Sequence, residues 1–110
     1  MNWNTEQVLN LVKNTPGIKT TDLISGEHYT TRGIHATFEG TNEGLWIRGF
    51  VTEGGLSAED DVDIEMVEVT TGYSDGDMPN DSVLIMAHAS IQAALVMAGY
   101  NVVNSLEPYF

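Results

Sequence analysis

Residues 57–69 read SAEDDVDIEMVEV and place six carboxylates, Glu59, Asp60, Asp61, Asp63, Glu65 and Glu68, on one short stretch with no lysine or arginine among them. Val62, Ile64 and Met66 alternate with Asp61, Asp63 and Glu65, but beyond Met66 the apolar positions become Val67 and Val69 and the acidic one Glu68. Alternation with a period of two is the mark of a half-buried strand. A β-bulge near Met66 and Val67 would absorb the change of phase, restore one apolar face, and gather Asp61, Asp63, Glu65 and Glu68 on the other. Neighbours on one strand face lie about 6.6 Å apart, similar to phosphates along a nucleic-acid strand. Such a row of like charges costs stability unless water or a cationic partner screens it.

The segment upstream supplies the partner strands. Ile34, Ala36 and Phe38 alternate with His35, Thr37 and Glu39, and after the loop GTNEG the residues Leu45, Ile47 and Val51 alternate with Trp46, Arg48 and Phe50. This spacing predicts a β-hairpin. With the aliphatic set against the core, Trp46, Arg48 and Phe50 share the opposite face with His35 and Thr37. An arginine flanked by two aromatics is the composition of a binding hot spot, so these three form a second candidate partner surface if the face is open. A second layer over it is the competing expectation.

At the amino end, Asn4 stands at an N-cap, Gln7 three residues on completes a capping box, and Trp3 and Val8 are placed as a hydrophobic staple. Val8, Leu11 and Val12 form the apolar stripe of a helix that Pro16 and Gly17 bring to an end. Residues 18–32 fit either a strand or a short helix. The stretch VLNLVKNTPGIKTTDL resembles the opening of a winged-helix DNA-binding domain, a family whose third helix carries a basic recognition surface. Here YTTRGIHATFEG follows, with one arginine and strand-like alternation, so the resemblance stops there.

Downstream, GYSDGDMPND is turn-rich and adds Asp75, Asp77 and Asp81. The twelve-residue ligand order and closing glutamate of an EF-hand are missing, so no metal site is assigned. Asn80 or Asp81 caps a helix over SVLIMAHASIQAALVMAG, which Gly99 stops. This run carries no formal charge but contains His88, Ser90 and Gln92 and lacks flanking cations, which favours a buried helix over a membrane span. Its apolar residues lie nearly all round, so a small sheet covers only part of it and a homodimer is expected. YNVVNSLEPYF can return as a last strand.

The chain has 110 residues, the size of one domain, and the fold expected is α+β: an amino-terminal helix, an antiparallel sheet of about three to five strands, and a long apolar carboxy-terminal helix packed on the sheet. Four basic and sixteen acidic residues give a net charge of −12. Residues 1–48 carry −1 of it and residues 49–110 carry −11. Such a field repels nucleic acid and anionic membranes and attracts a basic protein surface. There is no cysteine, no nucleophile elbow, no phosphate-binding glycine loop and no dinucleotide fingerprint. The absence of cysteine and of a secretory signal suits the cytoplasm.

The function expected is therefore non-catalytic protein binding without a cofactor. In its sharper form the protein is a DNA mimic that inhibits a nucleic-acid-binding protein, the chemistry of phage-encoded anti-restriction and anti-CRISPR proteins, with Asp61, Asp63, Glu65, Glu68, Asp75 and Asp77 as the acidic surface. A chaperone or immunity-type protein using the Trp46, Arg48 and Phe50 face is one alternative. A small-molecule-binding or enzymatic domain with a non-local site is another.

Overall fold

A computed structural model of the chain describes residues 1–28, 31–51, 58–71 and 82–103, with the side chains of residues 27, 28, 31 and 71 left aside. The elements are α1 (Thr5–Lys13), β1 (Thr20–His28), β2 (Thr31–Phe38), β3 (Gly44–Phe50), β4 (Met66–Thr71), α2 (Ser82–Met97) and β5 (Val102–Val103). The fold is α+β, with both helices packed against one five-stranded sheet of order β1-β2-β3-β4-β5.

α1 begins as its residues require. The Asn4 carboxamide oxygen accepts the Gln7 N–H at 2.9 Å, and Trp3 and Val8 of the staple are both buried. The chain leaves the helix through Asn14 and turns at Gly17, whose φ of +83° is in the left-handed region open to glycine. Residues 20–28 then form an edge strand, which settles the ambiguity of 18–32 in favour of β structure.

β2 and β3 form the expected hairpin, pairing Ile34 with Ile47, His35 with Trp46 and Ala36 with Leu45. Ile34, Ala36, Phe38, Leu45, Ile47, Val67 and Val69 face the helices and meet Val8, Val12, Leu84, Ile91 and Leu95 in one core. Val51, grouped with this set by its spacing, is instead exposed just beyond the end of β3. Close approach fixes the far end of β3. A methyl group at Gly49 would lie 2.8 Å from the Trp3 ring, so the indole rests directly on the strand backbone.

Three expectations need correction. The sheet is mixed, because β5 pairs parallel to β4 through Val67–Val102 and Glu68–Val103. A parallel neighbour requires a crossover, and α2 is that crossover. The strand read into residues 61–69 is shorter than its alternation suggested: β4 starts at Met66, and its pairing with β3 runs without a shift from Phe50–Met66 to Leu45–Thr71. There is no bulge at Met66 and Val67. The phase of the apolar residues changes because residues 58–65 are a turn and a bend rather than a strand, with Asp61 at φ 67° and Asp63 in an isolated bridge to Asn2.

Finally, α2 is buried on one face only. Leu84, Ala87, His88, Ile91 and Leu95 are buried, while Ile85, Met86, Val96 and Met97 are exposed. The helix thus lies on the sheet rather than within the molecule, as a one-sided layer allows. Among the described residues no helix is long and apolar enough to cross a membrane.

Candidate functional site

The acidic stretch is held against the amino terminus. Trp3 N–H donates to the Val62 carbonyl, Asp61 N–H to the Trp3 carbonyl and Ile64 N–H to the Met1 carbonyl, each at 2.8 Å. These bonds satisfy main-chain groups of a segment that belongs to no long strand. They also explain the burial pattern, since Ala58 and Ile64 turn inward beside Trp3 while the carboxylates point out.

Four of the six carboxylates find a positive counterpart in a distant part of the chain. The amino-terminal ammonium donates to Asp63 at 2.6 Å. Arg32 stands 3.4 Å from Glu59. Arg48 Nη2 donates to Glu68 at 3.1 Å, with only 14% and 20% of the two side chains exposed. Asp60 accepts from the Thr5 hydroxyl at 2.6 Å and from the Thr5 N–H at 2.8 Å, adding a second cap to the positive end of α1. Those two bonds, the hydroxyl first, hold the Asp60 carboxyl below its usual range. The missing lysines and arginines of residues 57–69 are therefore supplied by the fold.

The row of Asp61, Asp63, Glu65 and Glu68 does not form as spaced in the sequence. Asp61, Asp63 and Glu65 are exposed along the turn and bend, whereas Glu68 sits in β4 on the sheet face away from the helices, paired with Arg48. What remains together on the surface is a shorter patch of Glu59, Asp60, Asp61, Asp63 and Glu65. Asp75 and Asp77, like the cap proposed at Asn80 or Asp81, lie outside the described residues.

The aromatic face also differs from its expectation. Trp46 and Phe50 are each 5% exposed, and the Arg48 guanidinium lies 4.7 Å from the centre of the Phe50 ring. His35 stands beside Trp46 with ring centroids 6.1 Å apart. The three residues are brought together as the alternation required, but they are withdrawn from solvent, so they form no open anchor. β3 is the middle strand of five and is covered on both faces, which is why its residues are almost continuously buried.

Sequence reasoning passed over one feature. A cleft of about 570 Å³ opens where Trp3, Thr5, Arg32, Glu59 and Asp60 converge; it joins residues far apart in sequence that no motif connects. His88, one of the polar residues of the charge-free helix, is fully buried and bonds the Val69 carbonyl through Nε2 at 2.8 Å. Among the described residues its Nδ1 has no hydrogen-bond partner. Nε2 therefore carries the proton, and burial pushes the imidazole pKa down against the opposing pull of that bond. Among the described residues no three histidines or carboxylates are grouped so as to hold a metal ion. Comparison of the chain with protein-family models, curated proteins and solved structures finds no match.

Proposed function

We propose that this protein is a non-catalytic acidic domain that binds a basic surface on another protein. The observation that carries the reading is the exposed patch of Glu59, Asp60, Asp61, Asp63 and Glu65, on a chain whose residues 49–110 bear −11. Asp61 and Glu65 contribute most directly, because their side chains are exposed while Asp63 and Glu59 lie beside cations. Inhibition of a DNA- or RNA-binding protein by occupying its phosphate-binding groove is the sharper form of the proposal, and cytoplasmic action accompanies it. Mimicry then rests on the density of charge over the patch, not on a ladder of carboxylates at strand spacing.

The test starts with capture of partners from native lysate on the immobilised protein, followed by titration of each purified partner across a salt series. Asp61→Asn together with Glu65→Gln removes two charges without touching an ion pair among the described residues. The expected result is a loss of affinity of tenfold or more at low salt that shrinks as salt screens the field, with DNA or RNA competing for the same partner. Equal affinity of the two proteins at low salt would reject the reading.

A further inference from the structure

The exposed side of α2 has a symmetry that suits one occupant. Ile85, Met86, Ala89, Ala93, Val96 and Met97 are exposed and, at about 3.6 residues per turn, lie along one stripe of the helix. Their positions are mirror-related about residue 91: Ile85 and Met97, Met86 and Val96, and Ala89 and Ala93 are equidistant from it. No formal charge occurs between residues 82 and 106, on a molecule whose net charge is −12. A basic partner gains nothing electrostatically on this face. Another copy of the same face meets it without opposing charges.

We infer that the protein forms a two-fold homodimer in which the α2 helices of two copies pack antiparallel, crossing at Ala89 and Ala93. In that arrangement the stripe complements itself. Two alanines at the crossing let the backbones approach closely, and the large residues at either end fill the space left where the helices diverge. Ile85 lies beside the second copy's Val96, and Met86 beside the second copy's Met97.

A groove receives the most exposed of these side chains. Met97 is 87% exposed. The antiparallel two-fold brings the second copy's Met97 to the amino-terminal end of α2, where Ile18, Phe38, Val83 and Met86 line an apolar groove of about 470 Å³. An unbranched thioether suits such a recess. The surface continues past the other end of the helix, because the side chain of Met1, 54% exposed, reaches over Gly99. Lys19 and Glu39 also line the groove, where they compensate each other in an ion pair at 3.0 Å.

Sedimentation equilibrium on the intact chain should give a mass near 24 kDa, twice the 12.0 kDa of one chain, at tens of micromolar protein. Two copies of like net charge repel, so added salt should tighten the dimer. Ala93→Glu places two carboxylates at the crossing and should weaken dimerisation at least tenfold while leaving the far-ultraviolet spectrum unchanged. The register is tested separately, since the chain has no cysteine of its own. A mixture of Ile85→Cys and Val96→Cys proteins should form the mixed disulfide dimer much faster than either forms its own. A 12.0 kDa mass at every concentration up to about 200 µM in high salt would overturn the inference. So would undiminished dimerisation of Ala93→Glu, or equally fast self-cross-linking of each single variant.

Discussion

Asp63 and Glu68 stand five positions apart in the same acidic stretch, and each faces a cation brought from far away in the chain; they differ in how much water surrounds them. Asp63 and the amino-terminal ammonium keep 80% and 42% of their side-chain surfaces exposed, while Glu68 and Arg48 keep 20% and 14%. The first pair is a surface contact whose loss solvent can make good. The second lies between strands over an aromatic ring, where either charge without the other is expensive. A charge in the sequence is therefore a different object according to the strand or turn that carries it, and counting carboxylates along residues 57–69 overstates what is available to a partner.

The comparison can be broken most forcefully at Trp3. If main-chain pairing with the amino terminus, rather than ion pairing, holds residues 58–64, then Trp3→Ala should cost about 4 kcal/mol in urea unfolding, as for other large buried aromatics. It should also increase hydrogen exchange at the amides of Asp61 and Ile64. A loss below about 1 kcal/mol would mean that the indole does not anchor the segment.

The buried pair comes next. Arg48→Ala should cost about 2 kcal/mol, less than the roughly 3–5 of a fully buried pair because both side chains keep some water. The double variant Arg48→Met, Glu68→Leu should recover most of that loss. A double-mutant cycle by urea denaturation measures the coupling, and additive single losses would place this pair in the same class as Asp63.

His88 sharpens the contrast with a buried ionisable group that, among the described residues, faces no countercharge. Its folded pKa is depressed, so the unfolded chain binds the extra proton. Its stabilising contribution is complete above the unfolded value of about 6.5 and is lost as the pH falls toward the folded value, by at most about 1.4 kcal/mol per pH unit. His88→Gln keeps a donor for the Val69 carbonyl but no titrating ring. Thermal melts of the two proteins between pH 7.5 and 5 should diverge in slope, with the variant flatter. Parallel slopes would show that His88 is not the group being titrated.

The smallest effect is expected at Asp63 itself. Asp63→Asn removes the partner of the amino-terminal ammonium and should shift stability by no more than about 0.5 kcal/mol, a few degrees or less in Tm, and less still at high salt. A loss as large as that of Arg48→Ala would erase the distinction between the two pairs.

Local features of the fold were legible and non-local ones were not. Asn4, Gln7, Trp3 and Val8 announce the start of α1 because a cap and a staple depend on residues within one turn. The hairpin of β2 and β3 is readable because alternation on both sides of a glycine loop fixes which side chains share a face. The phase change at Met66 was visible, but a bulge and the junction between a bend and a strand leave the same trace in sequence. Only the pairing of residues 61–64 with residues 1–3 decides between them. The exposure of Trp46 and Phe50 was equally beyond reach, since alternation tells which face a residue takes and not whether that face is covered. For the candidate site, the excess of acid was evident, whereas its reduction by Arg32, Arg48, Thr5 and the amino terminus depends on contacts across tens of residues.

The parallel pairing of β5 with β4 has a bearing on how the chain reaches this structure. β1 to β4 join neighbours in sequence and can zip up while the polypeptide is still being made. β5 cannot dock on β4 until α2 has been synthesised and has crossed over the sheet, because its residues run in the same direction as those they pair with. During that interval the free edge of β4, with Val67 and Val69 on the same strand, is open to the wrong neighbour. The two residues Val102 and Val103 thus act late, as a closing seam, and a nascent chain stalled before them would present that edge of β4 unpaired.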